Sequence, residues 1–183
     1  MLSGYFSLTR LRDKKQILFL FILIIIAAYL AKGYFLASEQ RKTGSGALPP
    51  YLLTEHWQGH VQEIINPHTL SVLSPYGETI IIRLYGIKAP LLNEPGGPES
   101  RSFLAGMINE EMVTIIPFME DNRGRLIANV YSSDEGLNVS EELVKRGLAA
   151  VSRDYCRQQI CMYWFGLEED ARRKQSGMWQ QAQ

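Results

Sequence analysis

One long hydrophobic stretch stands out near the start of the chain. Residues 17–31 are apolar throughout, and after a Lys-Gly pair the apolar character continues to Ala37. A helix over this stretch, at about 1.5 Å per residue, is roughly 31 Å long, which matches the hydrocarbon thickness of a bilayer. The pattern therefore predicts a transmembrane helix over residues 16–38, after a basic segment over residues 1–15.

A cleaved signal peptide is the alternative interpretation of this stretch. Cleavage after Ala31 would leave Tyr29 where such sites need a small residue, so the pattern favours a membrane anchor. Residues 1–38 carry five basic residues and one acidic residue, a net charge of +4. Basic residues before the span favour a cytoplasmic N-terminus, with the folded domain on the periplasmic or an equivalent side.

The rest of the chain alternates between short strand patterns and turn signals. Residues 39–50 contain Gly-Ser-Gly and a Pro pair, which predict a linker, and we predict the folded domain over residues 51–183. Five stretches are rich in β-branched residues or alternate with period two, which is typical of strands. They are residues 57–65, 69–73, 79–85, 111–118 and 125–131. Pro117 has no N–H and is expected at a strand end or edge.

Three segments carry helical patterns, at residues 99–108, 138–147 and 163–174. Asn138 with a glutamate three residues later resembles a capping box, and Gly147 suits the end of that helix. Asn138 also begins a glycosylation acceptor sequence, but we favour the cap. Five strands and three helices indicate a small α+β domain with a barrel.

Residues 82–90, Ile-Arg-Leu-Tyr-Gly-Ile-Lys-Ala-Pro, resemble the signature I-R-L-x-G-I-D-A-P-E of the staphylococcal nuclease, or thermonuclease-like, family. Further stretches resemble other family motifs in the same order, at residues 65–70, 97–100, 121–128, 138–149 and 168–179. The resemblance implies a five-stranded Greek-key barrel of the oligonucleotide-binding (OB) type with three flanking helices. Here one transmembrane helix is expected to precede it.

Active members of that family cleave phosphodiesters with a bound calcium ion. By resemblance, Arg83 and Arg125 stand where the family grips the phosphate. The two calcium-binding aspartates are replaced by His68 and Lys88, and the glutamate proposed as general base is replaced by Leu91. An ammonium group at a dication site opposes metal binding, so calcium, another metal or a cofactor is not expected, and the catalytic set is incomplete.

Two interpretations of the remaining basic residues stay open. One is an anion-binding pocket formed by Arg83, Arg125, Lys88 and His68. The other is a structural remnant, in which Arg83 pairs with Glu78 or Asp121.

A rebuilt metal site is a further possibility. It would need displaced carboxylates to converge around Lys88, with Glu94 as the first candidate and Asp121 or Glu63 in support. Calcium takes six to eight oxygen ligands, which makes this reconstruction demanding.

Other potential metal or redox residues are few. His56 and His60 are four residues apart, but they enter a predicted strand, so a metal site there is disfavoured. Cys156 and Cys161 are the two cysteines of the chain. In an oxidising compartment they favour a local disulfide, and two buried thiols are the alternative.

Three functions follow from these observations. The leading hypothesis is a membrane-anchored, non-catalytic domain that acts as a partner-binding or accessory subunit of a membrane assembly. The second is a membrane-tethered, metal-dependent nuclease with a rebuilt site. The third is a non-catalytic nucleic-acid or anion-binding barrel; since residues 39–183 carry a net charge of −4, nucleic acid is not expected as a partner.

Overall fold

The structure is a computed structural model that describes residues 22–28 and 48–181. The chain divides into two units, Met1–Gly46 and Ala47–Gln183. In the first unit, residues 22–28 are helical. The second unit holds the barrel and the candidate site.

The predicted membrane span is corrected by the structure. Among residues 22–28 and 48–181, no helix is both long enough and apolar enough to cross a membrane. This finding contradicts the single-pass localisation and the anchored arrangement that the hydrophobic stretch predicts. Of the predicted span at residues 16–38, all but 22–28 lies outside the described residues.

The folded unit contains short helices and strands in alternation. Its strands are β1 Trp57–Asn66, β2 Thr69–Leu73, β3 Thr79–Leu84, β4 Ile87–Lys88, β5 Met112–Glu120, β6 Leu126–Ser132 and β7 Ala150–Val151. Its α-helices are α1 Tyr51–Thr54, α2 Gly97–Ile108, α3 Val139–Lys145 and α4 Ile160–Arg173, and a 3₁₀ helix covers Gly177–Gln181.

Five of the strands close into a barrel in the order β1-β2-β3-β6-β5. The pairing of β3 with β6 is parallel, and the other pairings that are recorded along the barrel are antiparallel. The predicted α+β fold with a five-stranded barrel is therefore confirmed. The strands β4 and β7 form a separate two-stranded sheet that the sequence pattern did not predict.

Alternation along the strands separates the core from the outer face. In β3, Ile80, Ile82 and Leu84 are buried, whereas Arg83 between them is only half-buried. Leu126 and the other inward residues of β6 face the same core. The period-two pattern thus directs the apolar side chains inward and leaves Arg83 on the outer face of the barrel wall.

Pro117 lies inside β5 rather than at its end. Pairing of β5 with β1 extends only from Met112 to Ile115, and the pairing with β6 slips between Pro117 and Met119. A bulge beyond the β1 ladder tolerates a residue without an N–H.

The helix that follows Asn138 is capped as predicted. The Asn138 side chain accepts a hydrogen bond from the Glu141 N–H at 3.1 Å, and Gly147 ends the helix with φ 70°. The Glu141 carboxylate, however, accepts from Trp164 Nε1 at 3.2 Å, which ties α3 to α4. The Glu141 side chain therefore binds the next helix instead of completing the predicted capping box.

Candidate functional site

Arg83 occupies the centre of the barrel wall. Its Cα is paired with Thr69 of β2 on one side and with Ile127 of β6 on the other. Its guanidinium forms no hydrogen bond or salt bridge with any residue that the structure describes. Glu78, one of its predicted partners, accepts a hydrogen bond from the Tyr51 hydroxyl at 2.9 Å instead.

Arg125 follows a tight turn between β5 and β6. Asp121 Oδ1 accepts the N–H groups of Arg123 at 2.9 Å and Arg125 at 3.0 Å, and Gly124 completes the turn with φ 73°. Asp121 Oδ2 accepts from two guanidinium nitrogens of Arg125, at 2.6 and 2.8 Å. Asp121, the other predicted partner of Arg83, is thus bound to Arg125.

The ionisation of Asp121 follows from these contacts. Burial acts to raise the pKa of this carboxyl, but the hydrogen bonds from Arg125 and Arg123 outweigh burial, and the pKa lies below its ordinary value. Asp121 is therefore an anion at neutral pH, and its charge is directed at Arg125.

His68 lies in the turn between β1 and β2, where its N–H donates to Asn66 Oδ1 at 3.1 Å. The side chain is 9% exposed, and its Nδ1 is buried without a hydrogen-bond partner among the described residues. Burial, followed by the charges of Arg83 and Arg125, lowers the pKa of His68 to about 4. The imidazole is therefore neutral at pH 7.

The same electrostatics define the group of residues around Arg83. Burial and the charge of Arg125 lower the pKa of Arg83, Asp121 and Tyr155 act in the opposite direction, and Arg123 lowers the pKa further. The group holds three guanidinium cations and one carboxylate, which is already bound to Arg125. Its unbalanced positive charge favours an anionic ligand such as a phosphate.

Two of the predicted site residues, Lys88 and Leu91, are exposed. Lys88 is exposed in β4, and its ammonium is not among the charges that shift the pKa of Arg83 or His68. Leu91 is 51% exposed, and its N–H donates to the Glu94 carboxylate at 2.7 Å. The carboxylate of Glu94, the first candidate for a displaced carboxylate, therefore accepts a hydrogen bond within its own loop.

The donor set does not fit calcium. The positions that hold its ligands in the resembling family carry an imidazole at His68 and an ammonium at Lys88. Within residues 22–28 and 48–181, no group of three or more His, Cys, Asp or Glu side chains converges to hold a metal ion. We therefore derive no chemical step through calcium.

Tyr155 and Arg123 are neighbours of Arg83 that the sequence pattern did not identify as site residues. Tyr155 is 65% exposed and precedes the disulfide between Cys156 and Cys161. The buried Tyr85 hydroxyl accepts the N–H groups of Arg157 and Gln158 in this loop, at 3.0 and 3.1 Å, and so ties the loop to the end of β3. Arg123 was visible in the motif of residues 121–128, but only the fold brings it to Arg83.

Relatives of the chain carry nuclease names. The chain is 28% identical over 124 residues to an uncharacterized endonuclease of Escherichia coli O157:H7. This alignment covers 68% of this chain and 78% of that relative. A micrococcal nuclease of Shigella flexneri is 28% identical over 130 residues, 67% of this chain and 74% of the relative. The probable staphylococcal-like nuclease CAN2 of Oryza sativa subsp. japonica is 33% identical over 98 residues, 54% of this chain and 25% of the relative.

These names contradict the leading functional hypothesis. Three relatives that align with two thirds or more of the chain are named nucleases, whereas we expected a non-catalytic accessory subunit of a membrane assembly. That expectation gave the replaced carboxylates too much weight and the retained arginine pair too little. A protein partner for the domain stays a prediction.

The assignment of the chain to a family rests on a match that is longer than any single motif. The family model for staphylococcal nuclease homologues matches residues 81–181, which is more than half of the chain. The match includes Arg83, the turn at residues 121–125 and the disulfide loop. The chain therefore belongs to the family of staphylococcal nuclease homologues.

Proposed function

We propose that this protein cleaves phosphodiester bonds in nucleic acid, with Arg83 and Arg125 holding the scissile phosphate. The observation that carries the proposal is the half-buried guanidinium of Arg83, which has no acidic partner among the described residues and lies beside a second arginine. The nuclease names of the relatives support the same reaction class.

The arginine pair suits the charge that develops during cleavage. In phosphoryl transfer, negative charge is spread over the non-bridging oxygens of the reacting phosphate, and fixed cations in a partly buried site stabilise it. Two hydrogen bonds from Arg125 to Asp121 fix the orientation of that guanidinium before a substrate arrives. Arg83 is left with all of its donors available to the phosphate.

The surroundings of the pair suit a polymer rather than an isolated phosphate. Arg123 and Tyr155 are both exposed beside Arg83, where they offer a cation and an aromatic face to neighbouring nucleotides. The net charge of −4 outside residues 1–38 argues against non-specific binding over the whole surface. Local positive charge at the site is sufficient to hold one phosphate and its neighbours.

A cleavage assay on the full-length chain tests the proposal. Labelled single- and double-stranded DNA and RNA are incubated with calcium, with magnesium and with chelator. We expect cleavage of at least one substrate, and Arg83→Ala to lower its rate by about 100-fold or more, because a fixed donor to the transition state is lost.

Arg173→Ala is the matched control, since Arg173 is exposed at the end of α4 and bound to Asp170. It is expected to cleave at the rate of the unmodified chain. Absence of cleavage by the folded chain under every condition, or cleavage that survives Arg83→Ala unchanged, would refute the proposal.

A further inference from the structure

Two buried polar side chains beside Arg83 have no partner among the described residues. They are His68, through Nδ1, and Thr69, through its hydroxyl, which lies on the residue paired with Arg83 across the β2–β3 ladder. Thr69 is 3% exposed and His68 is 9% exposed. An unpaired buried polar atom is energetically unfavourable, so two such atoms next to Arg83 require an explanation.

Among residues 22–28 and 48–181 no suitable set of calcium ligands is present, and this limits the choice of nucleophile. Water is a poor nucleophile at neutral pH unless a metal lowers its pKa, and the donor set of this site does not fit calcium. RNA carries its own nucleophile, since a 2′-hydroxyl lies next to each phosphorus. An intramolecular attack needs no bound water and benefits from proximity. What such a reaction requires is a proton acceptor and fixed positive charge.

We propose that the site cleaves RNA without a metal ion, by attack of the substrate's 2′-hydroxyl on the phosphorus that Arg83 and Arg125 hold, with His68 as the proton acceptor. This inference rests on the proposed nuclease function and names its substrate class. The bond from the 2′-oxygen to phosphorus forms as the bond from phosphorus to the 5′-oxygen breaks. The 2′-hydroxyl proton passes to His68 Nε2, and the leaving 5′-oxygen takes a proton from water. The products are a 2′,3′-cyclic phosphate and a 5′-hydroxyl, and His68 returns its proton to solvent.

The position of His68 suits this role. Because Nδ1 is sealed from solvent, Nε2 is the nitrogen that remains to meet a substrate. Burial, and then the charges of Arg83 from β3 and Arg125 just before β6, keep the imidazole unprotonated, so its ring nitrogen is free to take a proton. A bound phosphate offsets these two cations and raises the basicity of the imidazole when it is needed.

An oligonucleotide with one ribonucleotide in a DNA strand tests the inference in full-length protein with chelator present. We expect one cut, on the 3′ side of the ribonucleotide, with a 2′,3′-cyclic phosphate detected by mass spectrometry. The all-deoxy strand and a strand with a 2′-O-methyl group at that position are expected to be cut at least 100-fold more slowly.

The outcomes separate the two proposals. Cleavage of the all-deoxy strand at a similar rate, or cleavage only with calcium, would overturn the RNA inference and leave the nuclease function intact. No cleavage of any strand, with or without calcium, would overturn both. A linear phosphate in place of the cyclic product as the first species formed would also reject the 2′-hydroxyl mechanism.

His68→Gln tests the assigned proton acceptor, with His60→Gln as the matched control because His60 is exposed on β1. We expect His68→Gln to lose at least 100-fold in kcat with KM within about 3-fold, and His60→Gln to be unchanged. An unchanged kcat in His68→Gln would overturn the assignment.

A second measurement does not depend on that variant folding. The pKa of His68 in the unmodified protein is followed by NMR with and without the 2′-O-methyl strand, which lacks the attacking hydroxyl. We expect the strand to raise the pKa by one unit or more. No shift would place the phosphate away from the imidazole and overturn the inference.

Discussion

His68 is a buried neutral ring, and this affects how the protein responds to acid. The largest cause of its low pKa is burial, and Arg83 and Arg125 add to it. Its ordinary pKa is 6.5 and its folded pKa is about 4. Between these two values the unfolded chain binds a proton at this residue and the folded chain does not. Acid therefore favours unfolding, and stability is lost as the pH falls from 6.5 towards 4.

We predict that His68→Gln makes the protein less sensitive to acid. Between pH 7 and pH 4.5 the unmodified chain should lose about 2 kcal/mol more of its free energy of unfolding than the variant. Urea unfolding at the two pH values measures both losses, and the other titrating groups are common to the two proteins. Equal losses would show that His68 is protonated as readily in the folded chain as in the unfolded chain.

The same residues show what a sequence can and cannot predict of a site. The motif at residues 82–90 identified Arg83, and that at residues 121–128 identified Arg125, because each arginine has a fixed place in a family pattern. Which acid pairs with which arginine depends on the closed barrel, and Asp121 binds Arg125 rather than Arg83. Lys88 in the pocket stays a prediction from its place in the motif; the structure shows it exposed in β4, which pairs with β7 rather than with a barrel strand.

At the scale of the elements, the turn after β3 connects the barrel wall to the disulfide loop. Gly86 occupies this turn with φ 74°, and its carbonyl accepts the N–H of Ser152 at 2.8 Å. A Cβ at this position would lie 2.7 Å from Cys156 Sγ and 2.8 Å from a ring carbon of Trp164. Both the backbone conformation and the packing therefore require glycine.

Gly86→Ala should accordingly destabilise the protein far more than Gly77→Ala. Gly77 also has a positive φ, 84°, but an added Cβ there meets nothing within 4 Å. We expect a loss of about 1 kcal/mol for Gly77→Ala, from backbone strain alone, and about 3 kcal/mol for Gly86→Ala, since overpacking is added. Chemical denaturation of both variants gives the comparison, and equal losses would contradict the close packing of the disulfide loop on Gly86.

The sequence predicted long elements better than short ones. Five strands were located to within two residues at each end because alternation is visible over five or more positions. The two-residue strands β4 and β7 show no period, and the one-turn helix α1 is too short for a helical stripe. Pro117 was expected at an end or edge because the bulge that accommodates it depends on the partner strand.

At the scale of the whole molecule, barrel closure assembles the site from distant parts of the chain. The parallel pairing of β3 with β6 starts at Ile82 and Leu126, which brings Arg83 and Arg125 to neighbouring strands. The turn before β2 adds His68 on the other side of β3. These residues lie far apart in sequence, so the barrel topology is what makes them one site.

The functional prediction failed at this scale. The resemblance correctly indicated the fold, but the three replaced carboxylates were taken as evidence that catalysis was lost. The replaced residues indicate whether the metal ligands of the family are present. They do not indicate which reaction the remaining groups can perform together. The arginine pair, the neutral imidazole and the nuclease relatives favour a site that still acts on phosphodiesters.

A double-mutant cycle on Arg83 and Arg125 tests the central claim most directly. The kcat/KM for the best-cleaved oligonucleotide is measured for the unmodified chain, Arg83→Ala, Arg125→Ala and the double variant, with Arg173→Ala as control. If both guanidinium groups hold one phosphate, each single change should cost about 100-fold, and the double change should cost much less than the product of the two losses. Losses that multiply, or an Arg83→Ala variant as active as Arg173→Ala, would contradict a shared phosphate site.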